Sequence, residues 1–221
     1  MSVFFFVSLS SKAQKFSTSV DLQVSIPQSE YKDINPDAGF GLRANFLYRP
    51  LVDIPLKFGV EFGIQEKGRA SQYFSGNIGG YFEEFKVTAS NNIFSLLFVT
   101  RFKPEKFRKI TPFLDLTAGW NVFFSTVNVE RLTYYSTYNT SYSENTKSRW
   151  ALTYGGAAGV DIPLGKSDDL GLELKVAYLL GNNTRYLTHP YINGNAEVTF
   201  QENTSQTDML IPQAGIRIRI K

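Results

Sequence analysis

The sequence predicts an all-β fold, an eight-stranded antiparallel up-and-down transmembrane β-barrel. Three observations lead there. Eight segments of about ten residues carry apolar side chains at every second position, the period of a strand that is apolar on one face. The connections between them alternate between short and long, as in barrels that cross a membrane with strands. The chain has 221 residues and is 15% aromatic, yet its mean hydropathy is only -0.18. That mixture suits strands with one apolar and one polar face. No run approaches the ~18 apolar residues that a membrane-spanning helix needs. Nothing linker-like divides the chain, so a single domain is expected.

The first strand is expected from Phe16 to Ile26, with Val20, Leu22, Val24 and Ile26 opposite Ser19, Asp21, Gln23 and Ser25. The second, from Ala38 to Tyr48, groups Phe40, Leu42, Ala44, Phe46 and Tyr48 against Gly39, Gly41, Arg43 and Asn45. In the third, Leu56, Phe58, Val60, Phe62 and Ile64 oppose Lys57, Gly59, Glu61, Gly63 and Gln65, the cleanest alternation in the chain. The fourth, Ile93 to Phe102, is apolar on both faces; Ser95 and Arg101 place Phe94, Leu96, Phe98 and Phe102 outward. The fifth, Phe113 to Phe124, sets Leu114, Leu116, Ala118, Trp120 and Val122 against Asp115, Thr117, Gly119 and Asn121. The sixth, Trp150 to Ile162, sets Leu152, Tyr154, Ala158, Val160 and Ile162 against Thr153, Gly155, Gly159 and Asp161. The seventh sets Leu170, Leu172, Leu174, Val176 and Tyr178 against Gly171, Glu173, Lys175 and Ala177. The last, Met209 to Ile220, aligns Leu210, Ala214, Ile216, Ile218 and Ile220 against Gln213, Gly215, Arg217 and Arg219.

Short connections run over Arg49 to Pro55, Lys103 to Thr111 and Pro163 to Asp169. Long ones run over Pro27 to Asp37, Glu66 to Asn92, Ser125 to Arg149 and Gly181 to Asp208. Because an unpaired backbone group in hydrocarbon costs several kcal/mol, a spanning sheet must close. Eight strands leave a lumen just wide enough to be filled by side chains, so no open pore is expected. The inward faces carry Arg43, Glu61, Arg101, Asp115, Asp161, Glu173, Lys175, Arg217 and Arg219, an interior charge network of both signs. On the lipid face a midplane Arg or Lys would cost roughly 2–4 kcal/mol. Gly41, Gly59, Gly63, Gly119, Gly155, Gly159 and Gly215 are expected to leave room for the long cationic side chains. Phe124, Trp150 and Tyr154 at one end, and Tyr48, Phe58 and Phe102 at the other, form two expected aromatic girdles.

Several chemistries find little to work with. There is no cysteine and a single histidine, which leaves no ligand cluster for a metal and no cofactor motif. A net charge of +3 without a basic block gives no support for nucleic-acid binding. His189 lies inside a long connection with no nucleophile at a recognisable spacing, and Asp115, Asp161 and Glu173 read as ion-pair partners of the inward cations. No enzymatic activity is therefore expected. Tyr134, Tyr135, Tyr138 and Tyr142 lie among Ser, Thr and Asn, a composition that supplies adaptable contacts. Tyr73, Phe74, Tyr81, Phe82 and Phe85 suggest that the Glu66 to Asn92 connection continues as a hairpin beyond the membrane. Residues 1–14, with Val3-Phe4-Phe5-Phe6-Val7 and a cleavage point after Ala13, have the form of a signal peptide, leaving 15–221 as the barrel.

With Lys12-Ala13-Gln14, Gly39-Phe40-Gly41-Leu42-Arg43, Phe58-Gly59-Val60-Glu61-Phe62, Pro112-Phe113-Leu114, the glycine-rich Gly155 to Asp161 and the closing Gly215 to Ile220, the chain resembles a known group. It is similar to the small outer-membrane β-barrel domains of Bacteroidota, which include PorT-like proteins and share the form of OmpA- and OmpX-like barrels. The resemblance implies a porin-like fold in the bacterial outer membrane, with the chain termini and short turns periplasmic and the long loops extracellular. It implies outer-membrane lipid, lipopolysaccharide included, as surroundings, and other envelope proteins as partners. The expected role is structural or partner-binding, through the long loops. The alternatives are a component of a secretion or assembly complex, as in PorT-like proteins, and a lipid-modifying enzyme.

Overall fold

The computed structural model describes residues 15–51, 54–78, 81–104, 109–132, 141–165 and 169–220. The expected signal segment, 1–14, lies outside them. Ten strands and one short helix follow in order: β1 (Lys15–Pro27), α1 (Ser29–Ile34), β2 (Gly39–Arg49), β3 (Leu56–Ile78), β4 (Tyr81–Phe102) and β5 (Thr111–Leu132), then β6 (Ser141–Pro163), β7 (Leu170–Gly181), β8 (Thr184–Ile192), β9 (Val198–Ser205) and β10 (Met209–Ile220). Eight of them form a closed barrel in the order β1-β10-β7-β6-β5-β4-β3-β2, every pair antiparallel. The remaining two, β8 and β9, make a hairpin of their own between β7 and β10. The ring closes where β1 meets β10, from Phe16 opposite Ile220 to Pro27 opposite Met209, so no barrel edge is left unpaired in the belt.

Facing follows the alternation throughout. Val20, Leu22, Phe40, Phe46, Phe58, Phe98, Leu116, Trp120, Leu152, Val176 and Ile218 are exposed, Leu116 to 71%. Their sequence neighbours Asp21, Gln23, Arg43, Glu61, Asp115, Thr153, Lys175 and Arg217 are buried. This inverts a water-soluble protein and is what a lipid-facing belt demands. The two-faced fourth segment takes the expected register: Phe94, Phe98 and Phe102 point outward, while Ile93, Leu97, Val99 and Arg101 point in. Trp150 and Tyr154 at one end, Phe58 and Phe102 at the other, are exposed as the girdles require.

Barrel strands fall into two lengths. β1, β2, β7 and β10 have 13, 11, 12 and 12 residues, whereas β3, β4, β5 and β6 have 23, 22, 22 and 23. The connection Glu66 to Asn92 is thus a hairpin, as expected. Ser125 to Arg149 corrects the expectation of a loop, because Ser125–Leu132 and Ser141–Arg149 belong to β5 and β6 and pair as far as Glu130 opposite Ser141. Polar residues on both faces of Ser141–Arg149 left no alternation to read there, since both faces of a sheet standing in water are free to be polar. Two other long connections are also ordered: Pro27 to Asp37 holds α1, and Gly181 to Asp208 holds the β8–β9 hairpin.

Glycine placement needed a correction as well. At Gly63 an added Cβ would press on the Arg43 guanidinium, at 3.1 Å from Nε, so this glycine does make room for a cation. At Gly41, Gly59, Gly119, Gly155 and Gly215 a Cβ would strike the carbonyl oxygen of the neighbouring strand instead. Those glycines admit close strand approach. Gly171, outside the expected set, is where Arg217 and Asp161 sit.

Candidate functional site

The lumen is built in three tiers, each set by which inward residue falls at which height. At the short-turn rim lie Ser17, Arg49, Lys57, Lys103 and Arg217, all buried, with Arg219 half-buried on the same face. Lys103 and Arg217 share the Asp161 carboxylate, the latter at 2.9 Å from Nε to Oδ2. Arg49 donates from Nε to the carbonyls of Leu51 and Ile54 in its own turn, at 3.3 and 3.2 Å.

The middle tier is an ion-pair network of both signs, with Asp21 buried beside it and accepting from Ser19 Oγ at 2.7 Å. Arg101 is clamped between two carboxylates: Nε and Nη2 donate to Asp115 at 2.7 and 2.8 Å, Nη1 and Nη2 to Glu173 at 2.7 and 2.9 Å. The Phe113 ring lies 3.9 Å from the guanidinium carbon. Glu61 accepts from Arg43 at 2.7 Å and from Lys175, whose ammonium also stands 3.9 Å from Asp115. Arg43 continues the chain to Gln23 at 2.7 Å, and Gln23 to Gln65 at 3.1 Å. Arg43, Glu61, Asp115, Asp161, Glu173, Lys175 and Arg217 thus meet inside the barrel. Lys57, Lys103, Gln23 and Gln65 were missing from the expected network, although alternation alone puts Lys57, Gln23 and Gln65 on the same inner face.

The third tier corrects the expectation of a polar interior. Ile93, Leu97, Phe123, Ala151, Ala157, Ala177, Leu179, Met209 and Ile211 form a buried apolar cluster toward the long-strand rim. Two tyrosines from outside the barrel complete it. Tyr31 of α1 meets Tyr186 of β8 edge-on, with centroids 5.2 Å apart at 84°, and Phe123 at 6.3 Å and 88°. Tyr186 lies over Phe123 at 5.6 Å and donates to or accepts from Ser205 at 2.7 Å. Apolar lumen residues that look anomalous in a strand with a lipid face are explained by this plug.

A six-residue helix is too short to stand by its intrinsic propensity, and α1 is held from outside. Gln28 N–H donates to the Asp208 carbonyl at 2.9 Å, and Asp208 in turn accepts from Gly181 N–H at 3.1 Å. Lys67 reaches over the Tyr31 ring, 4.5 Å from its centroid, and donates to the carbonyls of Asn35 at 3.2 Å and Asp37 at 2.5 Å. The outward face already carries Glu66 and Arg69 past Ile64, so Lys67 stands above the apolar belt. Burial pulls its ammonium down to about 7, against a smaller upward pull from Asp37. Burial also pushes the Tyr31 and Tyr186 phenols up, so both remain neutral. A cavity of about 20 Å³ between Tyr31, Lys67, Asn91, Ser125 and Tyr186 has room for a single water.

Hairpin β8–β9 turns at Asn193, whose Oδ1 accepts from the N–H groups of Asn195 and Glu197, both at 2.9 Å. Ala196 takes a left-handed φ of 62° there. The Asn193-Gly194 pair was the signal that could have revealed this hairpin. His189 is exposed at the irregularity between Thr188 and Tyr191, with φ 46°. Its Nδ1 lies 3.0 Å from Thr188 Oγ1, a fully buried hydroxyl that already accepts from Asn203 at 2.6 Å. Among the described residues no accessible nucleophile is paired with it.

Beyond the belt, β3 to β6 continue as one four-stranded sheet, paired through Ile78 opposite Tyr81 and Glu84 opposite Leu132. β2 leaves β3 at Glu66, and β7 leaves β6 at Thr153. The protruding part of β3 is roughly 40 Å of strand at about 3.3 Å per residue. Its outward face is polar, with Arg69, Ser71, Tyr73, Ser75 and Lys86, the last 5.7 Å from the Tyr73 ring centroid. Its inward face buries Val87 and Ala89 and pairs Glu83 with Arg131. Of the expected contact tyrosines, Tyr134, Tyr135 and Tyr138 lie outside the described residues; Tyr142 belongs to β6, and its side chain also lies outside them. Among the described residues no group of acidic or histidine side chains is placed to hold a metal.

No family model matches the chain, and no curated protein does. Among solved structures it is similar to Neisserial surface protein A, with 13% identity over 92% of this chain and 96% of that one and a TM-score of 0.48. A major outer membrane protein of Thermus thermophilus is 10% identical over 92% and 99%, with a TM-score of 0.40. The attachment invasion locus protein of Yersinia pestis is 9% identical over 94% and 97%, with a TM-score of 0.35. The barrel assignment stands on the strand registers and the exposed belt.

Proposed function

We propose that this chain is a bacterial outer-membrane barrel that acts as a binding protein and not as a pore. In this reading the short turns face the periplasm, the long-strand rim faces outward, and outer-membrane lipid, including lipopolysaccharide, surrounds the belt. The carrying observation is the pairing of a lumen filled in three tiers with a four-stranded sheet that runs far beyond the apolar belt. A filled lumen leaves no route for solutes. Strands that extend past the membrane while staying paired present a continuous sheet; among the described residues the outer sides of β3 and β6 beyond the belt pair with no further strand, and such edges accept further strands.

The test combines localisation, permeability and surface function. The tagged protein is expected in the outer-membrane fraction, its protruding hairpins open to protease on intact cells, and reconstituted vesicles tight to small sugars. Shortening β3–β4 and β5–β6 to the belt is expected to leave insertion intact and abolish retention of envelope partners. Sugar flux, or absence from the outer membrane, would refute the proposal. Stoichiometric recovery with other envelope proteins, unaffected by shortening the hairpins, would shift the reading to a subunit of a secretion or assembly complex.

A further inference from the structure

Among the described residues, Lys57 at the short-turn end of the lumen is a buried cation that stands outside the ion-pair network above it. Lys57 is buried to 6% exposure, and its one hydrogen bond among the described residues is to Ser17 Oγ at 3.4 Å. It has no ion pair among the described residues. Facing it are Arg101, its register partner on β4, and Lys103, Arg217 and Arg219, all of which repel it. Arg101 is already saturated by Asp115 and Glu173. The buried carboxylate beside Lys103 and Arg217 is Asp161, divided between the two of them.

A buried ammonium without a counter-charge is strongly disfavoured: it sheds its proton unless something supplies an anion. A structural pair would need one acidic neighbour; instead Lys57 donates to a hydroxyl and sits beside further cations. Lysine ammonium groups bind phosphate as point charges, and a phosphate group has enough acceptor oxygens to take Lys57, Lys103 and the Ser17 hydroxyl together. From these placements we propose that the short-turn mouth of the lumen is a phosphate-binding site centred on Lys57, with Ser17 and Lys103 as further donors. Lys57 takes the anion directly. Lys103 and Arg217, anchored on Asp161, hold the positive field around it, and Gly171 keeps the space they occupy. The same chemistry serves free phosphate in the adjoining water and the phosphate of a lipid headgroup at the edge of the belt.

The test uses the folded full chain in phosphate-free, non-ionic detergent, titrated with inorganic phosphate by calorimetry, with the thermal midpoint as a second readout. Saturable binding is expected in the wild type, at least tenfold weaker in Lys57→Gln and a few-fold weaker in Ser17→Ala. Lys86→Gln, at the other end of the barrel, should bind like the wild type. Without phosphate, Lys57→Gln should melt higher than the wild type because it removes an uncompensated buried charge, and phosphate should no longer raise its midpoint. Phosphatidylglycerol added to the micelles identifies the source: suppression of free-phosphate binding assigns the site to a headgroup, unchanged binding assigns it to the free ion. No saturable binding by the wild type, or equal affinity in Lys57→Gln, overturns the site. Neither result bears on the outward sheet, so this test and that of partner binding fail separately.

Discussion

Replacing Arg101 by Met should be among the most damaging single changes in the barrel. Met matches the length of the buried stem and keeps contact with Phe113, so the change isolates the charge. Four charge-assisted hydrogen bonds of 2.7 to 2.9 Å disappear, and two carboxylates, Asp115 and Glu173, both almost fully buried, lose their shared counter-ion. Lys175 is near enough to compensate only in part, since it stands 3.9 Å from Asp115 and already serves Glu61. Breaking a buried pair from one side typically costs about 3–5 kcal/mol, or roughly two to three and a half powers of ten in the folding equilibrium at about 1.4 kcal/mol per tenfold. The assay is a urea titration in micelles, with the folded and unfolded forms separated by heat-modifiable gel mobility. Arg101→Met/Asp115→Asn/Glu173→Gln, which removes all three charges, should recover most of the loss, because the penalty lies in the stranded carboxylates. A loss below about 1 kcal/mol in the single variant, or a triple variant weaker than the single, would refute the network as described.

Three further outcomes are expected. Val60→Arg, on the lipid face of β3, should lower folding into vesicles by roughly 2–4 kcal/mol, whereas Gln65→Glu on the inner face should insert normally; equal yields would contradict the facing. Gly59→Ala should cost more than Gly171→Ala, since the first Cβ meets the Phe46 carbonyl of a paired strand and the second meets the end of the Arg217 side chain; urea midpoints ranked the other way would show that strand approach is not what fixes Gly59. Docking of α1 should strengthen as pH rises. Burial holds Lys67 near 7 when docked against an ordinary 10.5 when released, so the released state binds more protons between those values and the docked state gains with pH across that window. Amide exchange of Tyr31 and Asn35, corrected for its intrinsic pH dependence, should therefore show greater protection at pH 9 than at pH 6, and Lys67→Met should abolish the difference.

The legible part of this molecule was the part governed by neighbours in the chain. Alternation in Leu56 to Gln65 is a property of successive residues, and a strand has only two faces, so lipid and lumen sides followed even for the ambiguous Ile93 to Phe102. Inward charges were legible for the same reason, because a charge is intolerable on the other face. Where water covers both faces, as along Ser141 to Arg149, no such penalty operates and the strand left no period to read.

The sequence by itself determined eight spanning strands, their facing, the short and long connections and the sign of most buried charges, because each depends on a two-residue period and on lipid excluding polar groups. Which inward residues meet was decided only by tertiary structure. Arg101 finds Glu173, and Lys175 finds Glu61, across a lumen whose closure sets the height of every strand against every other. The apolar tier, the edge-on contact of Tyr31 with Tyr186 and the grip of Lys67 on α1 belong to the same class, since all of them join segments that share no local pattern and are brought together by the closed ring.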